Sequence, residues 1–408
     1  MLEADRLGTD HVLSTHTIHP PGMDVLDELG VGDAVRNGSP PMQTVRFDVD
    51  GVFADIRTPP GRHECCPRRH RLDGLLQDAM IAAGADVHER TRVTDLIREG
   101  ERVVGAKGRH ADKEIDVRAS LVVGADGRHS TVARLAGARE YLGYDWPRGM
   151  YWAYWRPPPV WKSAAYPYDM HLRMVGCHRR VIFSTDDSQL LLGTVPELES
   201  ARAWRDDPAS GYLEDLRSDP VFQPLVDGGT MTSKVLGTVS ERFFFRQSAG
   251  PGWALVGDAG HHKDPIIGWG IAEGLVQAKH LAAAIAEGED AALERYWRRR
   301  DLEALPRYRL AQERGEPGAI NPVMPVVLSK APSAPWLPQR LVREIEYDVN
   351  PYELLPLSRV IPWVIGAAFG GRPGLFRHFL AQGRRVRGLQ KELAEARKRL
   401  AEVPAAAT

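Results

Sequence analysis

The residues around position 260 could hold a planar ligand that carries negative charge. An apolar stretch over residues 254–256 precedes the glycines, acid and proline of this segment, which are Gly257, Asp258, Pro265, Gly268 and Gly270. The apolar stretch is typical of a buried strand, and glycines let backbone approach a flat ring closely. Apolar residues from Ile271 onward recur at helical spacing. A helix that begins near Gly270 would present free amide groups and a positive dipole end to an anion.

A second segment has the same design. Residues 119–124 are again apolar at their end and run into Gly124-Ala-Asp126-Gly127. Ser130 is placed to cap a following helix. The sequence therefore predicts two strand–turn–helix units, each with an acid and a glycine directly after the strand.

Together, the two segments resemble the FAD-dependent aromatic hydroxylase superfamily, the group of p-hydroxybenzoate hydroxylase, with geranylgeranyl reductases and flavin halogenases as neighbours. The resemblance implies FAD as cofactor, with Asp126 and Gly127 serving its pyrophosphate and NAD(P)H. It implies that the ribitol and isoalloxazine are lined by Gly257, Asp258, Pro265, Gly268 and Gly270. A reduced flavin is anionic near N1, which suits a helix N-terminus. Arg69, or Arg68 in the next best register, is implied against the FAD phosphates.

The first residues also fit this resemblance. Met1-Leu2-Glu3 reads as the end of a strand that closes on an acid, the position that binds the adenosine ribose in a Rossmann-type half. Glu3 is therefore the predicted ribose ligand. The G-x-G-x-x-G turn expected upstream of such an acid does not occur in the sequence. We expect a sequence that starts late and lacks the first strand and helix; a vestigial protein that binds no FAD is the alternative.

The predicted fold is α/β, an incomplete Rossmann-like FAD-binding domain with an inserted mixed β-sheet substrate domain and a helical C-terminal region. The predicted divisions are 1–140 and 246–315 for the FAD-binding domain, 141–245 for the inserted sheet, and 316–408 for a proline-rich and helical extension. The aromatic strand of residues 150–156 opens the inserted sheet. Strand alternation would send two of four aromatic residues into a substrate pocket: Tyr151, Trp152, Tyr154 and Trp155.

Three histidines are candidates for proton transfer. His16 lies in a proline-rich loop that is close to the flavin ring in the resembled group, with His19 just beyond it. His171 lies on a predicted strand of the inserted sheet. His261 occupies the usual histidine position of the group. Solvated or purely structural roles for these histidines stay open at this point.

The resemblance implies an NAD(P)H-dependent monooxygenase that adds O₂ at the flavin C4a position and hydroxylates a small aromatic or other electron-rich organic substrate. A flavin reductase of double bonds, similar to geranylgeranyl reductase, is the alternative, and a halogenase is third. The sequence departs from the group at three positions. Trp269 replaces a usual Gln, and Ala272 replaces a frequent Asn. The arginine of the Asp-Gly segment, Arg134, lies one residue later than in the group.

Composition limits the partners. Lys and Arg total 53 against 54 Asp and Glu, so no global field favours nucleic acid or an anionic membrane. Three cysteines give no disulfide framework, which suits a cytoplasmic protein, and adjacent Cys65 and Cys66 are a poor metal pair. The apolar run of residues 361–369 is too short to span a bilayer, so no stable membrane insertion is expected. An apolar stripe over residues 386–403 favours packing on its own domain and leaves a homodimer open.

Overall fold

The computed structural model describes residues 1–9, 17–111, 113–145, 148–239, 241–318, 320–346 and 350–404. The strands are β1 (Thr44–Val49), β2 (Val52–Arg57), β3 (Thr91–Glu99), β4 (Arg102–His110), β5 (Lys113–Arg118), β6 (Val122–Gly124), β7 (Glu140–Asp145), β8 (Gly149–Arg156), β9 (Met170–Val175), β10 (His178–Ser184), β11 (Leu190–Thr194), β12 (Thr230–Met231), β13 (Leu236–Val239), β14 (Arg242–Arg246), β15 (Ala249–Gly250), β16 (Trp253–Leu255) and β17 (His261–His262). The helices are α1 (Pro20–Glu28), α2 (Gly32–Gly38), α3 (Arg69–Ala82), α4 (Thr131–Ala136), α5 (Leu198–Ala203), α6 (Pro208–Arg217), α7 (Gln223–Gly228), α8 (Gly270–Glu287), α9 (Asp290–Gly315), α10 (Val323–Leu328), α11 (Trp336–Ile345), α12 (Leu357–Phe369) and α13 (Leu375–Ala401).

A small sheet aligns the two predicted strand–turn–helix units. β16 pairs with β6 in parallel, with Leu255 opposite Gly124, and β15 pairs with β16 on the other side. Because parallel strands end at the same edge of a sheet, the turns that follow β6 and β16 lie side by side. Leu2 forms a parallel bridge with His88, so the first residues are extended, as predicted.

A larger mixed sheet forms the second layer. Its strand order is β12-β8-β11-β10-β9-β1-β2, with β13 also paired to β8. β1 pairs in parallel with β9, and the β1–β2 hairpin turns at Asp50-Gly51. The sheet therefore takes two strands from residues 44–57 and is not confined to the segment after residue 141. The mixed α/β architecture confirms the predicted fold class.

The aromatic strand β8 is buried on both faces. Tyr151 and Trp155 pack in a cluster with α6 and α7, whereas Trp152 and Tyr154 face the opposite cluster, together with Met150. The prediction was that two of these four aromatic residues line a pocket, but all four fill the core. Met150 is the residue of this strand that lines the cavity described below.

The C-terminal helices cover the two sheets. Leu389 and Leu393 of α13 pack against Leu305 of α9, so the predicted apolar stripe faces its own chain. α11 and α12 pack on each other and on Ile56 of β2. Among the residues that the structure describes, no helix is both long enough and apolar enough to cross a membrane.

Candidate cofactor and substrate site

Three glycines shape the edge at which β6 and β16 end. Gly127 has φ +74°, Gly257 has φ +59° and Gly268 has φ +69°, a left-handed conformation that residues with a Cβ rarely adopt. Gly127 follows β6, and Gly257 follows β16. The local sequence therefore bends both chains sharply at the carboxyl ends of adjacent strands.

The space around these turns, named here the glycine crevice, is open. A Cβ at Gly127 or Gly270 would meet no atom within 4 Å, and one at Gly257 would reach only the Cα of Gly274, at 4.0 Å. No side chain caps the first turn of α8, whose N-cap residue is Trp269. The uncovered backbone and the amide groups of that first turn fit the flat, electron-rich ring of a reduced flavin.

A chain of four charged side chains joins the two turns. His262 Nδ1 lies 3.0 Å from Asp258, and its Nε2 lies 3.5 Å from Glu241. Glu241 in turn lies 2.6 Å from Arg128, which follows Gly127. Burial lowers the pKa of His262, but Asp258 and Glu241 outweigh burial and raise the pKa to about 9. His262 is therefore an imidazolium at neutral pH, and it ties the β16 turn to the β6 turn.

Asp258 keeps a partly accessible carboxylate in this chain, with a side chain that is 44% exposed. Burial raises its pKa, but the charge and hydrogen bond of His262 more than offset this, and the pKa lies below the usual value. An ionised Asp258 at the mouth of the turn could accept hydrogen bonds from ligand hydroxyl groups. This is the role that the resemblance implies toward the ribitol.

His261 is enclosed behind the turn. The centre of its ring lies 4.5 Å from the centre of the Phe245 ring, and its Nδ1 is 3.5 Å from Nε2 of Gln277. Burial, with the neighbouring charge of Lys263, holds the pKa of His261 well below its ordinary value. Lys263 is itself buried and paired with Glu273. His261 is thus a neutral imidazole in the protein interior.

The other predicted cofactor residues are engaged locally. The Asp126 carboxylate accepts hydrogen bonds from Ser130 and from the first amides of α4. Arg69 pairs with Asp73, one turn along α3, and Glu3 accepts the amide of Asp5 at 3.0 Å. Asp126 therefore orients the β6 turn, and direct contacts of these three side chains with FAD stay predictions.

A cavity lies on the other side of the Pro265–Gly268 turn. It encloses about 720 Å³ when the space that is open to solvent is counted. Most of its wall is apolar and comes from β1 and the strands of the large sheet: Val45, Phe47, Met150, Met170, Leu172, Val181, Phe183 and Val195. α11 closes one side with Leu341 and Glu344, and Glu344 pairs with Arg314 at 3.2 Å.

Two of the ionisable side chains that line this cavity, His19 and Glu64, contact each other. His19 Nδ1 lies 2.5 Å from Glu64 Oε1, and His19 Nε2 lies 3.2 Å from the Ile267 carbonyl. Both ring nitrogens thus lie close to oxygen atoms, and Nε2 can donate to the Ile267 carbonyl. The second oxygen of Glu64 is buried and has no hydrogen-bond partner among the described residues.

Sequence reasoning named His19 but missed Glu64. Ile18 and Cys65 form an antiparallel bridge, and this register puts His19 opposite Glu64. The only feature of the sequence that could have pointed to Glu64 was its place directly before two adjacent cysteines, which the structure shows to be buried. Burial raises the pKa of the Cys65 thiol to about 12, so that thiol is a packing group.

The other two predicted histidines differ in their outcome. His16 lies outside the described residues. His171 is buried on the opposite face of the large sheet, where it contacts Tyr168 at 2.9 Å and Asp48 at 3.3 Å. Strand alternation explains this, because Met170 and Leu172 line the cavity and the residue between them must point away. The structure does not bring His171 together with the site.

Two of the three departures from the resembled pattern have packing roles. Trp269 is buried against Ile267 and Ala311, with its ring 5.6 Å from that of His19. Ala272 is fully buried at the crossing of α1 and α8, where a Cβ on Gly22 would come within 2.8 Å of its Cα. Arg134 is exposed on α4. The close helix crossing leaves little room for a larger residue at position 272.

A buried ion pair anchors the Pro265–Gly268 turn, which lies between the glycine crevice and the cavity. Asp264 lies 3.6 Å from Arg148, and both side chains are inaccessible. Asp264 also accepts the Ile266 amide at 2.9 Å. Burial raises the pKa of Asp264 to about 6, against the opposing effect of Arg148. The pair fixes the start of Pro265–Gly268 to the large sheet.

Known proteins resemble this chain in sequence and in fold. The chain is 28% identical over 240 residues to digeranylgeranylglycerophospholipid reductase 2 of Methanococcoides burtonii, covering 54% of this chain and 53% of the relative. It is 34% identical over 135 residues to 6-methylpretetramide 4-monooxygenase of Streptomyces rimosus, covering 31% and 32%. The chain thus spans about half or less of the length of these curated relatives.

Among solved structures, the flavin-dependent brominase Bmp2 matches with a TM-score of 0.73 at 18% identity, over 94% of this chain and 92% of that chain. This likeness concerns the fold. The family model described as the FAD binding domain matches residues 1–305, which include both glycine turns, the charge chain and the cavity wall of the large sheet. The chain therefore belongs to the FAD-binding domain family, and the resemblance drawn from the sequence is confirmed.

Proposed function

We propose that the protein is an FAD-dependent oxidoreductase that uses NADH or NADPH and O₂ to hydroxylate a small aromatic or other electron-rich organic substrate. One observation carries the proposal. The Pro265–Gly268 turn lies next to the glycine crevice, and it also forms part of the wall of the apolar cavity. A flavin ring in the crevice and a substrate in the cavity would meet at this turn.

The geometry supports the following binding roles. Gly257 and Gly270 would give the ring and ribitol close access to backbone, and Asp258 would accept hydrogen bonds from ribitol hydroxyls. The amide groups of α8 would stabilise negative charge on the reduced cofactor. When bound, FAD supplies the redox chemistry, and the protein supplies orientation and exclusion of water.

Glu64 and His19 provide the proton chemistry. The unpartnered oxygen of Glu64 is an acceptor that a substrate hydroxyl or N–H group would meet in this mostly apolar cavity. The pair can take that proton while His19 keeps its second hydrogen bond to Ile267. Removal of a proton makes an aromatic ring more electron-rich, and a positioned base typically contributes 10²–10⁴-fold to a rate, by order of magnitude.

The test combines reductant oxidation with O₂ uptake. The FAD-loaded protein is assayed with NADH or NADPH against a panel of small phenols and anilines, with catalase present to reveal uncoupled peroxide. We expect one hydroxylated product per O₂ consumed. The Glu64→Gln variant should lose roughly 10²-fold or more in kcat with little change in KM, whereas the exposed control Glu114→Gln should not. Hydroxylation that persists unchanged in Glu64→Gln contradicts the proton role.

A reductase of carbon–carbon double bonds is the second candidate. The apolar cavity wall favours it, as does the similarity to digeranylgeranylglycerophospholipid reductase 2. Such an enzyme would saturate an isoprenoid substrate under anaerobic conditions with reduced FAD. Product formation without O₂ would support the reductase, and product formation that requires O₂ would support the monooxygenase.

A further inference from the structure

Helices α12 and α13 present an apolar surface to solvent. Four residues spaced four apart on α12 and two on α13 make up this surface, named here the α12–α13 face: Leu357, Ile361, Ile365, Phe369, Phe376 and Leu380. Phe369 is 84% exposed and Leu380 is 64% exposed. The inner face of α12 is buried through Val360 and Val364. Helical spacing separates the two sides, so the outer stripe is a continuous apolar surface of a kind that marks an interaction site.

Positive charge surrounds this face. Residues 354–391 contain seven Arg and Lys residues and no Asp or Glu, although the whole chain is nearly neutral. Within the described part of the chain, four exposed arginines of this segment form no ion pair: Arg372, Arg377, Arg384 and Arg387. Arg384 and Arg387 continue the side of α13 that carries Phe376 and Leu380, since they follow at helical spacing. The overall charge balance therefore conceals a locally basic, apolar helix pair.

The face lies outside the layer that closes the cavity. Leu341 of α11 lines the cavity and also belongs to the cluster that packs Val360 and Val364 of α12. Trp336 of α11 stacks on Trp363 of α12, with ring centres 5.7 Å apart. A partner on the α12–α13 face would thus be separated from the cavity by α11.

We propose that the α12–α13 face docks the protein on the surface of an anionic lipid bilayer. Helices that lie in the membrane interface combine an apolar stripe with flanking cationic side chains, and the arginines would meet lipid phosphates. A second copy of this chain would bring its own four exposed arginines without ion pairs to the same contact, which opposes self-association. The proposal requires no spanning helix and stands apart from the proposed chemistry.

The test is co-sedimentation of the full chain with lipid vesicles. Mixed phosphatidylcholine–phosphatidylglycerol vesicles should bind the protein, pure phosphatidylcholine vesicles should bind it far more weakly, and added salt should release it. The double variant Ile365→Asn/Phe369→Asn should lose binding by ten-fold or more, by order of magnitude. The matched control Phe53→Asn/Ile81→Asn alters two residues that are each 48% exposed elsewhere and should bind as the wild type does.

A second pair of variants separates charge from apolar contact. Arg384→Gln/Arg387→Gln should weaken binding roughly five-fold for each arginine removed, whereas Arg92→Gln/Arg109→Gln on the β3–β4 sheet should not. Circular dichroism and Tm must match the wild type for each variant. Absent binding to phosphatidylglycerol vesicles, or equal binding by Ile365→Asn/Phe369→Asn, would overturn the proposal. So would a dimer in analytical ultracentrifugation that this variant dissociates.

Discussion

His262 should make the stability of the protein fall between neutral and mildly alkaline pH. Its folded-state pKa, about 9, lies above the unfolded value of about 6.5. A raised pKa contributes stability that is complete below the unfolded value and is lost as pH rises through the folded value. For these two values the contribution is about 2.5 kcal/mol at pH 7 and about 1 kcal/mol at pH 8.5. The difference in unfolding free energy between the wild type and a variant without His262 should therefore shrink by roughly 1.5–2 kcal/mol over that interval.

The assay is urea unfolding at fixed FAD concentration between about pH 7 and 8.5, a window set by the neighbouring titrations. Burial lowers the pKa values of His261 and His171, so both are neutral throughout this window. Burial raises the pKa of Cys65 to about 12, so it contributes only at higher pH. The His262→Gln variant should be less stable at pH 7 and should lose most of the pH dependence, whereas exposed His378→Gln should keep it. An undiminished slope in His262→Gln would refute the charge chain between Asp258 and Glu241.

Two further changes test the packing around the site. Gly22→Ala should lower the free energy of unfolding by about 1–3 kcal/mol, because its Cβ would approach the Ala272 Cα to 2.8 Å. The matched control Gly74→Ala, at a helical glycine of α3 where a Cβ would meet no atom within 4 Å, should cost less than Gly22→Ala in the same urea titration. Asp264→Ala should cost roughly 3–5 kcal/mol, since it removes the buried carboxylate beside Arg148. A thermal-unfolding curve close to that of the wild type would count against the anchoring role of this pair.

The sequence predicted the parts of the site that depend on local chain geometry. Positive φ at Gly127 and Gly257 requires residues without a Cβ, so glycine after an apolar strand is a strong signal. Ser130 caps α4 as expected, accepting the Ala133 amide. The parallel pairing of β6 with β16 then brings the two turns together, which the resemblance implied.

The groups that sequence reasoning missed are joined across long stretches of chain. Glu64 meets His19 only because a single bridge pairs Ile18 with Cys65. Arg128, Glu241 and His262 meet only after the two turns have been aligned. His171 was misleading for a related reason, because strand register decides which face of the sheet it occupies. The basic character of residues 354–391 was readable from the sequence, but the near-zero total charge concealed it.

We propose that the glycine crevice at the start of α8 receives the flavin ring. Gly270 offers the sharpest test, because a Cβ there would meet no protein atom within 4 Å and the fold should tolerate Gly270→Val. The measurement is an FAD titration followed by flavin absorption and protein fluorescence, with Gly388→Val as a control in equally open space on α13. The wild type and Gly388→Val should bind FAD, and a folded Gly270→Val protein should not bind it. Equal FAD affinity in all three proteins would contradict it.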